Sequence, residues 1–96
     1  MSDSPIAWRL RVSGRVQGVG YREWTRRQAQ ARGLSGWVRN RRDGAVEAAI
    51  GGAPAALAQM VEAMRRGPFL ARVGAVERSE APLDDLPDPF EVRPTA

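Results

Sequence analysis

Asp43-Gly44 separates two short strand-like segments, Gly36-Trp37-Val38-Arg39-Asn40 and Ala45-Val46-Glu47-Ala48-Ala49-Ile50, near the middle of the chain. An Asp-Gly pair between such segments favours a tight hairpin turn, so residues 37–41 and 45–50 are expected to pair antiparallel. Beyond the hairpin, Gly51-Gly52 breaks the pattern and Pro54 suits a first helical turn. Leu57, Met60, Val61 and Met64 then recur at i, i+3, i+4 and i+7, which predicts a helix over 54–66 closed by Gly67-Pro68. Before the hairpin, Trp8-Arg9-Leu10-Arg11-Val12-Ser13 alternates with period two and reads as a strand with one buried face. Three glycines between Gly14 and Gly20 make a loop, and the Gly- and Pro-free run that follows predicts a helix near 22–33 ended by Gly33. Its apolar side is thin, resting on Tyr21, Trp24, Thr25 and Ala29, so it must be held by packing on a sheet. A weaker strand lies in 72–80, with Val73 and Val76 out of simple alternation, and Phe90-Glu91-Val92-Arg93 alternates again. Strand, helix, strand, strand, helix, strand is the split βαβ order of an α+β, ferredoxin-like sandwich. The expectation is an antiparallel sheet of five strands or fewer with both helices on one face.

Ninety-six residues suffice for one domain, residues 1–96, burying roughly 60–65% of its unfolded surface. No apolar run is long enough to span a membrane, and Met1-Ser2-Asp3-Ser4-Pro5 lacks the pattern of a secretory leader, so a soluble cytoplasmic protein is expected. With no Cys, His or Lys, the chain has no thiol nucleophile, imidazole base, His/Cys zinc site, disulfide or Schiff-base lysine. All fifteen basic residues are Arg, which together with the Ala content fits compositional bias in a source genome. Ten of them lie in residues 1–48 against four acids, while residues 49–96 carry five against seven, so the first half should attract anions.

The segment Gly14-Arg15-Val16-Gln17-Gly18-Val19-Gly20-Tyr21-Arg22 joins the first strand to the start of the first helix, where unpaired N–H groups and the helix dipole favour an anion. Glycines let successive amides converge on a phosphoryl group, and Arg22 adds a bidentate charged donor. The segment matches neither GxxxxGK[ST] nor GxGxxG, and from composition alone an ordinary Gly-rich turn with a solvated arginine is the preferred reading. Asn40, at the end of the second strand, can bond a water molecule or serve the turn alone. Arg39, Arg41 and Arg42 read as a solvated hairpin or as steering charges. Trp8 and Trp37 read as core residues in preference to base-stacking platforms, and Asp84, Asp85 and Asp88, set among prolines, as a solvated turn in preference to a metal site.

Taken together, Val12-x-Gly14-Arg15-Val16-Gln17-Gly18-Val19-Gly20-Tyr21-Arg22 and Gly36-Trp37-Val38-Arg39-Asn40-x-x-Asp43-Gly44-x-Val46-Glu47 resemble both signature segments of the acylphosphatase family. The similarity extends over about residues 9–93. It departs at Tyr21, where Phe is common, and in Pro94-Thr95-Ala96, without removing a proposed catalytic group. The resemblance implies a small ferredoxin-like enzyme that hydrolyses acyl phosphates. By the same analogy Arg22 and the loop amides of Arg15, Val16, Gln17, Gly18, Val19, Gly20 and Tyr21 bind phosphate, and Asn40 orients the attacking water. A mixed anhydride carries a good leaving group, so positioning and charge stabilisation suffice and neither metal nor cofactor is expected. The expected partners are a small acyl phosphate, with phosphate or sulfate as site ligands, no nucleic acid and no membrane, and the expected state is a monomer. Two other classes stand beside this reading. One is a nonenzymatic module binding RNA or phosphate, which would need exposed sheet aromatics or a basic groove. The other is a regulatory or carbamoyl-phosphate-handling domain detached from a larger protein, against which the short chain with its complete termini argues.

Overall fold

The computed structural model describes residues 4–96; Met1 to Asp3, part of the stretch read for a leader, lie outside the described residues. The elements are β1 (Ile6–Arg15), α1 (Tyr21–Ala31), β2 (Ser35–Asn40), β3 (Val46–Gly52), α2 (Pro54–Arg66), β4 (Arg72–Ala81) and β5 (Glu91–Val92). Alternation in β1 buries Leu10 and Val12 completely and leaves Arg9 and Arg11 exposed. α2 buries Leu57, Met60, Val61, Ala63 and Met64, whereas α1 buries only Tyr21, Thr25 and Ala29, the thin stripe expected of a helix held by its neighbours. α1 stops two residues before the expected end, because Arg32 and Gly33 close it by donating to the carbonyls of Ala29 and Gln30.

β2 and β3 pair antiparallel from Ser35 opposite Gly51 to Asn40 opposite Val46. The turn is one residue longer than a two-residue hairpin. Arg41 N–H donates to Ala45 O at 2.8 Å and Gly44 N–H to Arg41 O at 3.2 Å, leaving three residues between the last bonded pair. The Asp43 carboxylate accepts from Ala45 N–H at 3.0 Å and pins the turn. In β4 the partner of β1 jumps from Ala75 opposite Ser13 to Val73 opposite Gly14. Gly74 is the extra residue of a bulge, and it lets Val73 and Val76 both pack on the core despite their odd spacing.

The five strands lie in the order β4-β1-β3-β2-β5. The pairing expected to be antiparallel throughout is parallel at one edge, with Trp37 opposite Glu91 and Val38 opposite Val92. After β4 the chain crosses to the opposite edge, laying Leu83 and Leu86 against Gly51 and accepting Gly36 N–H on Pro87 O at 2.8 Å. It therefore enters β5 beside the start of β2 and runs in the same direction. Asp84, Asp85 and Asp88 on this crossing are exposed, as the sequence suggests.

Both helices cover one face, where Leu10, Val12, Val38, Val46, Ala48 and Ile50 meet Leu57, Met60, Met64 and Phe90. Trp37 is buried, as the sequence reading expects, but on the other face of the sheet. Val38 points to the helices, so its neighbours Trp37 and Arg39 point the other way. Trp37 is buried on the helix-free face, where the guanidinium groups of Arg9, Arg39 and Arg93 lie 4.7–5.1 Å from its ring centre. Trp8 stays on the helix side, half-buried, with Arg78 over its ring. The three arginines cover Trp37 from solvent, so it offers no stacking platform for a base.

Candidate active site

The C-terminal ends of β1, β2 and β5 and the N-terminus of α1 surround a cavity of about 330 Å³ lined by Val16, Gln17, Gly18, Gly20, Tyr21, Arg22, Glu23, Asn40 and Val92. Two segments far apart in sequence, the glycine loop and the end of β2, thus line one cavity. Gly18 and Gly20 adopt φ of 74° and 77°, and an added Cβ at either would meet nothing within 4 Å. The loop therefore needs glycine for its left-handed backbone and not for room. Gly20 is the N-cap of α1 and supplies no side-chain cap, and the first intrahelical bond runs from Trp24 N–H to Gly20 O at 3.1 Å. The N–H groups of Tyr21, Arg22 and Glu23 consequently lack helical acceptors, an arrangement suited to an anion.

Among the described residues the Arg22 side chain has no hydrogen-bond or ion-pair partner, and the Oδ1 atom of Asn40 is buried without a partner. The main chain of Asn40 is fixed by its pairing with Val46 and by accepting Ala96 N–H at 3.1 Å. Val16 sends its side chain into the core, and Gln17 donates from Nε2 to Arg41 O at 2.7 Å and Ala45 O at 2.9 Å. The Tyr21 hydroxyl turns away and donates to Met64 O at 2.7 Å, and burial pushes its pKa above the ordinary tyrosine value. Only the main chain of Tyr21 remains to serve the cavity. Arg15, the last residue of β1 and opposite Arg72, and Val19, in the loop, do not line the cavity.

Glu23 and Val92 were not singled out from the sequence. A carboxylate at the rim would oppose an anion, yet Arg26 holds Glu23 in a forked ion pair with both carboxylate oxygens, and Arg27 approaches at 3.7 Å. The hydrogen bond from Arg26 outweighs the opposing desolvation and, with the charges of Arg26 and Arg27, holds the Glu23 carboxyl below the ordinary glutamate value. The i, i+3 and i, i+4 spacing of these residues is the available sequence signal. Val92 reaches the cavity through the parallel β5 pairing, for which no local pattern exists.

The arginine cluster divides. Arg39 pairs with Glu47 at 2.8 Å and Arg41 with the same carboxylate at 3.6 Å, while Arg42 has no side-chain partner among the described residues. No group of three or more Asp or Glu among the described residues is placed to hold a metal ion, and none of their helices is long and apolar enough to cross a membrane.

The acylphosphatase family model matches residues 8–92. The chain belongs to the acylphosphatase family. It is 51% identical over 92 residues to an acylphosphatase of Rhizobium etli, spanning 96% of this chain and 98% of that one. The structure of an acylphosphatase from Coxiella burnetii superposes with a TM-score of 0.88 at 36% identity, covering 93% of each chain. That of the acylphosphatase from Bacillus subtilis gives 0.87 at 37% identity, covering 92% of this chain and 98% of that one. These matches agree with the ferredoxin-like α+β architecture. Hydrolysis of acyl phosphates is the acylphosphatase function, and the chain is an enzyme of that class.

Proposed function

We propose that the segment from Arg15 to Arg22 holds the phosphoryl group of a small acyl phosphate and that Asn40 orients the water that hydrolyses it. The observation that carries this reading is that Arg22, whose side chain has no partner among the described residues, and Asn40, whose buried Oδ1 has none, line the same cavity as the uncapped start of α1. The N–H groups of Gln17 through Arg22 converge on the phosphoryl oxygens, and the Arg22 fork adds two charged hydrogen bonds. Arg15 and Val19 contribute through the charge and path of the loop.

Asn40 Oδ1 accepts one hydrogen of the water and points an oxygen lone pair at phosphorus. The new P–O bond forms as the bond to the acyl oxygen breaks, and the electron pair leaves with the carboxylate. The water proton passes to a phosphoryl oxygen, giving carboxylate and inorganic phosphate. A carboxylate is a stable leaving group, so the step needs no general acid, and a chain without His, Cys or Lys performs it by positioning and charge stabilisation. The reaction so written uses no cofactor and no metal. The same reading takes residues 1–96 as one domain acting as a cytoplasmic monomer, without nucleic acid or membrane as partner.

Turnover of benzoyl phosphate tests it. The wild type should hydrolyse this substrate in EDTA, and phosphate and sulfate should inhibit competitively and raise Tm by mass action where chloride at equal ionic strength does not. Arg22→Ala should lose on the order of 10²–10³ in turnover, the scale for one charge-stabilising donor. Arg22→Lys should also be severely impaired, because an ammonium cannot reproduce the planar fork. Near-normal kcat/KM in either folded variant rejects the role of Arg22, and loss of turnover on chelation with recovery on Mg²⁺ rejects the metal-free route.

A further inference from the structure

Gln17 lines the cavity, yet its side chain is committed elsewhere. A primary amide carries two N–H groups, and the side-chain amide of Gln17 is directed at two carbonyls, Arg41 O at 2.7 Å and Ala45 O at 2.9 Å. These are the two residues that bracket the β2–β3 turn. Arg41 O also accepts Gly44 N–H, and Ala45 O also accepts Arg41 N–H, so Gln17 completes the two lone pairs of each carbonyl. With its donors taken and only an acceptor oxygen left, the side chain has nothing to offer an anionic phosphoryl group.

The neighbouring segments show what this contact controls. Val16 is anchored in the core and Tyr21 in the carbonyl of Met64, while Gly18 and Gly20 between them have open space around their α-carbons. Gln17 is therefore the tie that joins the middle of the glycine loop to the strand end bearing Asn40, one residue before Arg41. We propose that Gln17 is a positioning residue that sets the distance between the bound phosphoryl group and the water held by Asn40. The inference rests on the proposed roles of the loop and Asn40 and adds a role for the Gln17 side chain, which touches neither substrate nor water.

Gln17→Met keeps the length of the side chain and removes both donors. The loop amides can still close on phosphate, so the inhibition constant for inorganic phosphate should change by about threefold or less. The kcat for benzoyl phosphate should fall roughly 10- to 100-fold, the scale of an ångström-sized misplacement. Because the effect is routed through Asn40, the same substitution in an Asn40→Ala background should cost about twofold or less in kcat. A purely structural role would lower Tm and the folded fraction without producing this non-additivity. Circular dichroism fixes the folded fraction, and Gln17→Ala makes the same comparison if Gln17→Met is not fully folded at the assay temperature. Unchanged kcat in the single variant, or full additivity with Asn40→Ala, overturns the inference while leaving wild-type turnover intact. Absence of wild-type turnover overturns instead the reading of the site on which it rests.

Discussion

Gly36 is the position at which an added methyl group has least room. A Cβ built there would lie 1.9 Å from Ala49 O and 2.9 Å from its carbonyl carbon, with Phe90 Cε2 at 3.1 Å, and φ is +133°. Both nearest atoms are main chain of β3 and cannot rotate away, so β2 and β3 must separate around the Gly36–Ile50 pair. The backbone conformation alone should cost about 1–2 kcal/mol for Gly36→Ala. Overpacking against rigid neighbours adds about 1–3 kcal/mol or more. The sum, about 2–5 kcal/mol, should lower Tm by roughly 8–40 °C in a domain of this size. Gly33→Ala is the matched control, because Gly33 also has positive φ, +68°, but nothing within 4 Å of its Cβ position. Its cost should stay near the backbone component, about 1 kcal/mol and roughly 4–8 °C. Thermal unfolding of both variants by circular dichroism, at one protein concentration and without phosphate, supplies the comparison. Equal losses in Tm would refute the reasoning, since the two sites differ in steric contact and not in the sign of φ.

Tyr21→Phe leaves the carbonyl of Met64, in the last turn of α2, without its hydroxyl donor, and should cost about 1 kcal/mol, seen as a Tm roughly 4–8 °C lower. An unchanged Tm would show that the buried hydrogen bond contributes no net stability. Burial pushes the Glu47 carboxyl up, but the hydrogen bond and charge of Arg39 with the charges of Arg9 and Arg41 outweigh it and hold it below the ordinary value. The Ala45 N–H and Arg11 likewise hold Asp43 down. A depressed folded-state pKa contributes stability above the unfolded value, about 4, that is lost as pH falls through the folded value. The Tm gap between wild type and Glu47→Gln should therefore be widest near pH 7 and shrink below about pH 4, and a gap that grows on acidification contradicts the assignment.

The features readable from the sequence are those set by near neighbours. Period-two alternation places Leu10 and Val12 inside, the i, i+3, i+4, i+7 series of Leu57 to Met64 marks α2, and Asp43-Gly44 turns the hairpin. The glycine loop and Asn40 were recognisable together by their resemblance to a family, although the residues alone left each an ordinary turn. What escaped depends on contacts distant in sequence. The parallel direction of β5 follows from where Leu83, Leu86 and Pro87 seat the crossing segment, and Val92 enters the cavity only as a result. Trp37 and Val38 are adjacent apolar residues, and only the sheet decides which faces the helices. The commitment of Gln17 to the carbonyls of Arg41 and Ala45 spans more than twenty residues and has no local signature.

The most direct test of the account is Asn40→Ala, measured for benzoyl phosphate turnover and for inorganic phosphate affinity in the same preparation. A residue that orients water acts on the chemical step, so kcat should fall on the order of 10²-fold while the Kd for phosphate changes little. Preserved kcat, with or without a loss of phosphate binding, would contradict the central claim that the buried Oδ1 of Asn40 places the nucleophile in this cavity.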